Sequence, residues 1–312
     1  MEPLRDHLVV DLTRYLPGPF ASRELLRLGA RVVCVEPPEG DPTRALAPAW
    51  HAALCAGKES VVCNLKESAE LAQRLMARAD VVLESFRPGV AERLGVGPGA
   101  AAETAVYCSI TGFGESDGRA GHDLNYLGWA GMLADTAPTL PPMPIADLAA
   151  GALGAVTEIL AALLERRQTG RGARLVLSMT DNARRLVGYR QHDDRPLLTG
   201  ALACYRIYAT GDGRWLTVGA LEPKFFARLC ELIGRPELAA RQNEADQEEL
   251  AAELAGVFAQ RPLAAWLELF EGEDVCAGPV ATLAEALPPS ARPIAAALGE
   301  HTEAWRAELA GC

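Results

Sequence analysis

Short apolar runs alternate with amphipathic stretches through the first third of the chain. Leu8-Val-Val-Asp-Leu12 reads as a strand, and Pro17 to Leu28 carries apolar residues at helical spacing, with Gly29 as a stop. Ala30 to Glu36 is the next strand, Ser68 to Arg78 a helix, and Asp80–Glu84 and Ala105–Ile110 two further strands. Strands that alternate with helices predict parallel βαβ units and an open, doubly wound, Rossmann-like α/β sheet. Ligands of such sheets sit beyond the carboxyl ends of the strands.

Ala149 to Gln168 is the strongest helical pattern, followed by a strand at Ala173–Ser178. From about Asn182 to Leu202 the pattern dissolves into Arg- and Asp-rich sequence, which predicts a linker. A smaller α+β segment follows, with a strand at Trp215–Gly219 and helices near Lys224–Ile233, Gln247–Ala259 and Leu263–Phe270. Leu287-Pro-Pro-Ser is a second break, and a helix near Thr302–Leu309 closes the chain. The expected organisation is a large domain over residues 1–190, completed by 288–312, with linker and small domain over 191–287.

Composition narrows the classes. The 312 residues are 49% hydrophobic and 23% charged, ordinary globular values that exclude a disordered or coiled-coil chain. The net charge of −11 argues against nucleic acid as a partner, because that footprint is basic. The apolar stretch at Ala149 to Leu164 is interrupted by Thr157 and Glu158, so no membrane span is expected. The N-terminus has no basic start before a long apolar run, so no signal peptide is expected and a cytoplasmic location is. Eight cysteines without a C-x-x-C pair predict buried, reduced thiols and no metal centre.

G-x-G-x-x-G, P-loop, H-E-x-x-H and G-x-S-x-G signatures are all lacking. Four places hold candidate chemistry. His122 and Asp123 follow a Gly-rich loop after the Ala105–Ile110 strand, where function concentrates; a helix-capping Asp123 beside a bystander histidine is the plainer reading. Asp147 precedes the long helix and serves equally as an N-cap. Glu222 precedes a Pro that opens a helix, again a capping position. Arg87 follows a strand, where a guanidinium meets phosphate or simply water.

Taken in order, these segments resemble one family. Asp11-Leu-Thr-Arg-Tyr-Leu-Pro-Gly-Pro, Leu28-Gly-Ala-Arg-Val-Val-Cys-Val-Glu-Pro-Pro-Glu-Gly-Asp-Pro-Thr-Arg44, Phe86-Arg-Pro-Gly-Val, Gly121-His-Asp-Leu-Asn-Tyr, Ile145-Ala-Asp-Leu-Ala-Ala-Gly and Val218-Gly-Ala-Leu-Glu-Pro-Lys-Phe-Phe look like the class III CoA-transferase (CaiB/BaiF) family. Within it, Gly-His-Asp-Leu-Asn-Tyr together with Gly-Ala-Leu-Glu-Pro looks most like the α-methylacyl-CoA racemases. The resemblance implies a Rossmann-like domain with a smaller domain, an interlocked homodimer, and an acyl-CoA substrate with no other cofactor. It implies His122 and Asp147 as the two acid/bases, Glu222 as the partner of the histidine, and Arg87, Tyr126, Lys58, Glu36 and Asp123 as CoA-site residues. The chain is shorter than typical members between Met179 and Leu202 and between Leu287 and Leu298, and it carries Cys34 and Pro37 where many relatives are basic.

Inversion at the α-carbon of a thioester needs one acid/base on each face, and a histidine with a protonated carboxyl meets that need near neutral pH. The transferase alternative instead makes Asp147 a nucleophile that forms an aspartyl intermediate while CoA passes between carboxylic acids. A third reading is a shortened relative that binds acyl-CoA without turnover.

Overall fold

The computed structural model describes residues 1–192 and 197–311. The chain divides into two compact units, Met1–Tyr189 with Ala291–Cys312, and Arg190–Ser290.

The first unit is built on six parallel strands, β1 (Leu8–Asp11), β2 (Arg31–Glu36), β3 (Glu59–Val62), β4 (Val81–Glu84), β5 (Val106–Thr111) and β6 (Ala173–Ser178). Their order is β3-β2-β1-β4-β5-β6, so the chain reverses its direction of travel between β1 and β4. Val9, Val10, Val32, Val33, Val81, Val82 and Leu83 are almost wholly enclosed, as expected when helices cover both faces of a parallel sheet. The Thr302–Ala310 helix lies along β3, with Trp305 buried and the Thr302 hydroxyl accepting from the Val62 N–H at 3.0 Å. That contact covers an edge strand that would otherwise offer free backbone groups. The second unit holds an antiparallel sheet of β7 (Tyr205–Ala209), β8 (Trp215–Gly219) and β9 (Ala277–Pro279), with its own core around Phe226, Phe258 and Trp266.

Three expectations need correction. The supposed linker begins with a helix, Met179–Val187, capped by Ser178 accepting from the Asp181 N–H at 3.1 Å. Only Met179, Thr180 and Ala183 are buried, so its long polar face disguised it; residues 193–196 of that stretch lie outside the described ones. The helical run from Ala146 to Thr169 is long and apolar enough to cross a membrane, contrary to the reading that Thr157 and Glu158 interrupt it. Its buried stripe of Ala155, Val156, Ile159 and Leu163 instead packs into the core of the sheet domain. Finally, Cys276 is exposed, and Cys34 and Cys55 are half-buried, so not every described thiol is sequestered; Cys312 lies outside the described residues.

Candidate active site

The reversal between β1 and β4 opens a crevice at the carboxyl ends of the strands, where doubly wound sheets bind ligands. A cavity of about 470 Å³ lies there, and its wall includes Arg14, Arg87, His122, Tyr126 and Asp147. Four of the residues singled out in the sequence thus meet in one place: His122, Asp147, Arg87 and Tyr126.

Tyr126 organises the loop that carries His122. It is buried, its hydroxyl donates to the Gly121 carbonyl, and its ring meets Phe113 edge-on with centroids 5.2 Å apart. A Cβ at Gly112 or Gly121 would stand 2.4 or 2.7 Å from that ring, so both positions demand glycine. His122 is the exposed N-cap of the Asp123–Trp129 helix, and the Asn125 side chain accepts from its backbone N–H at 3.0 Å.

Asp147 sits in a wide, π-type turn, Ala146–Leu153, that leads into the Gly154–Thr169 helix. Such turns recur at functional sites. Asp123 does not cap its own helix. It accepts from the backbone N–H of Asp147 at 2.9 Å and from that of Ala146, which ties the His122 loop to the Asp147 turn. Burial, and then the charge of Asp123, push the Asp147 carboxyl up to about 7. Burial likewise raises Asp123 against the two backbone N–H groups that favour its charge. For Tyr126, burial and the charge of Asp147 push the phenol up to about 12, against the pull of Arg87.

Lys58 and Glu36 lie apart from this crevice. Lys58 is buried, donating to the Pro19 carbonyl and the Ser22 hydroxyl at 2.7 Å each, with Asp11 3.9 Å away. Glu36 is buried and clasped by both forks of Arg44 at 2.7 Å and by the Ser60 hydroxyl at 2.6 Å. Burial alone would raise the Glu36 carboxyl, but Arg44 and Ser60 outweigh it and hold the group below its usual range. Both side chains are engaged with their own fold. Glu222 belongs to the second unit, exposed at the head of the Pro223–Leu232 helix.

The sequence reading missed Arg14 and Tyr15. Both line the crevice, in the loop that leaves β1 at the reversal point. Tyr15 has a positive φ of 66°, an unusual backbone for a bulky residue, stabilised by its N–H donating to Asp41 at 3.0 Å. The guanidinium groups of Arg14, half-buried, and Arg87, exposed, make no hydrogen bond or ion pair among the described residues. The signal was available: Leu-Thr-Arg-Tyr directly follows the first strand.

Comparison with known proteins agrees with this fold. Residues 4–295 match CoA-transferase family III. The chain belongs to that family. It is 35% identical to the α-methylacyl-CoA racemase of Mus musculus over 309 residues, covering 91% of this chain and 79% of that protein. It is 32% identical to the succinyl-CoA:glutarate CoA-transferase of the same organism, covering 91% and 73%. A CaiB/BaiF family protein from Brucella suis superposes with a TM-score of 0.83 at 29% identity, over 98% of this chain and 99% of that one. This family III chain thus has relatives that carry out both racemisation and CoA transfer.

Proposed function

We propose that this family III protein is a 2-methylacyl-CoA racemase in which His122 and Asp147 exchange the α-proton from opposite faces. The observation that carries the reading is the Asp147 carboxyl, raised to about 7 by burial and by Asp123, in the same crevice as His122. Such a carboxyl both gives and takes a proton near neutral pH. A transferase needs the same aspartate as an ionised nucleophile and has no use for the histidine.

In one direction His122 takes the α-proton, negative charge moves onto the thioester oxygen, and protonated Asp147 returns a proton to the other face. In the reverse direction the roles exchange, which conserves atoms and charge through the cycle. Arg14 and Arg87 suit the phosphates of CoA, because guanidinium groups bind them through paired hydrogen bonds. In this reading the protein works as a homodimer in which Glu222 steadies the histidine.

The test is incubation of each epimer of a 2-methylacyl-CoA with the protein in deuterium oxide, read by mass spectrometry. One deuterium at the α-carbon is expected. His122→Ala should slow exchange from one epimer by about 10²–10⁴-fold, and from the other far less. Equal, mild losses from both epimers would overturn the two-base assignment. No deuterium, with CoA appearing on an added free acid and His122→Ala still active, would make the protein a transferase with Asp147 as nucleophile.

A further inference from the structure

Beside the crevice, against β2, the amino end of β3 and the Pro48–Cys55 helix, lies a second, smaller cavity of about 20 Å³. Cys34, His51, Cys55 and Lys58 all face it. Cys34 comes from β2, and Cys55 ends the Pro48–Cys55 helix. Both thiols line the same small cavity, and there the Cys34 thiol acts on Cys55 as a donor. The Cys55 sulfur is also 3.8 Å from Nδ1 of His51.

The protonation of His51 follows from its neighbours. The Thr43 hydroxyl donates to Asp41, so it accepts from His51 Nδ1, 3.0 Å away. Nδ1 therefore carries the proton, which is shared with the Cys55 sulfur. The remaining ring nitrogen is buried without a partner. The hydrogen bond from Cys34, together with His51 and Lys58, holds the Cys55 thiol well below its usual range against the effect of burial. The same bond, and then burial, keep Cys34 protonated. Cys55, beside His51 and Lys58, is the more readily ionised of the two and Cys34 the less, the pairing of attacking and resolving cysteine. Among the described residues no group of three or more His, Cys, Asp or Glu is arranged to hold a metal.

We infer that Cys34 and Cys55 form a peroxide-sensitive site that closes to a disulfide and bears on the CoA crevice through Thr43, Asp41 and Tyr15. The Cys55 thiolate attacks the terminal oxygen of a hydroperoxide, and the O–O bond breaks. The leaving alkoxide takes up the proton that Cys55 gave up on ionising, and Cys55 becomes a sulfenic acid. The Cys34 sulfur then attacks the Cys55 sulfur, the S–O bond breaks, and hydroxide leaves with the Cys34 proton as water. Two thiols are oxidised and one hydroperoxide is reduced to alcohol and water. Once its sulfur is bonded, Cys55 no longer accepts from His51. From there the chain of contacts runs through Thr43 to Asp41, whose other oxygen holds the Tyr15 N–H in its positive-φ turn at the crevice.

The effect on the crevice rests on the CoA-binding reading above; the disulfide does not. The full-length protein is treated with graded hydrogen peroxide, quenched by alkylation and digested with trypsin. Cleavage after Arg31, Arg44 and Lys58 puts the two cysteines in separate peptides, residues 32–44 and 45–58. The expected product is these two peptides linked, reversed by dithiothreitol, and formed equally in Cys276→Ser. Oxidation of Cys276 ahead of any link, or sulfinic acid at Cys55 without a link, would overturn the site. Calorimetric titration with CoA should show binding at least about fivefold weaker after oxidation and restored by reduction. A link with unchanged CoA affinity would overturn the connection to the crevice. Reduced protein that fails to bind CoA would refute the functional reading instead, with the linked peptides still reporting on the thiols.

Discussion

Two charged regions lie against one parallel sheet, and they differ in how their charges are satisfied. Under β2 and β3, Glu36 is held by Arg44, Ser60 and the Asp41 N–H, and Lys58 by Pro19 and Ser22. At the β1–β4 reversal, Arg14 and Arg87 are unpaired among the described residues, and Asp147 receives no hydrogen bond that would lower its carboxyl. Buried charge persists only when it is paired and hydrogen-bonded. The first region therefore spends its charges on the fold, while the guanidinium groups of the second, Arg87 exposed and Arg14 half-buried, face solvent in the crevice.

The sharpest division between the regions should appear in stability. Glu36→Ala strands the Arg44 guanidinium and should cost about 3–5 kcal/mol in urea unfolding. An unfolding midpoint close to that of the unaltered protein would place Glu36 with the ligand-binding residues and break the contrast.

Arg87→Ala should behave in the opposite way. Its unfolding midpoint should stay within about 0.5 kcal/mol of the parent. The KM for acyl-CoA should rise about tenfold or more with kcat preserved, because a charge-assisted contact to phosphate contributes about 1.5–3 kcal/mol. A stability loss on the Glu36 scale, with KM unmoved, would show the two regions to be alike.

Much of this was legible in the sequence, and the failures have physical causes. β1, β2, β4 and β5 announce themselves because strands buried on both faces are continuous apolar runs, and β6, half-exposed, because its residues alternate. β3 did not, since Glu59-Ser-Val-Val is four residues long with a polar start. The Met179–Val187 helix was hidden because only one narrow face is buried. His122 and Asp147 stood out through residue type at strand and helix ends. The resemblance implies Lys58 and Glu36 as CoA-site residues, and the partners that engage them inside the fold are 5 to 39 residues distant in sequence. Local pattern carries no trace of such partners. The Asp123 contact escaped for the same reason, because it joins groups 24 residues apart.

The last distinction lies between two carboxyls, Asp147 in the crevice and Glu36 outside it. Asp147 is raised from the ordinary 3.8 to about 7. Its ionised form is therefore disfavoured in the folded protein. The stability it contributes is fully present below about pH 4 and is lost as pH rises through about 7. Asparagine cannot ionise and escapes that loss. Asp147→Asn should thus match the parent near pH 4 and exceed it by up to about 4 kcal/mol near pH 8, while proton exchange collapses. Unfolding curves that stay parallel across this range would mean that the carboxyl is not strained by its burial, and the acid/base reading would lose its support. A gain in stability with loss of exchange is the signature of a group kept for reaction at the expense of the fold. Glu36, whose carboxyl is held low, should show the reverse sign: the stability it contributes is present above the ordinary carboxyl range and is lost as pH falls through its lowered value.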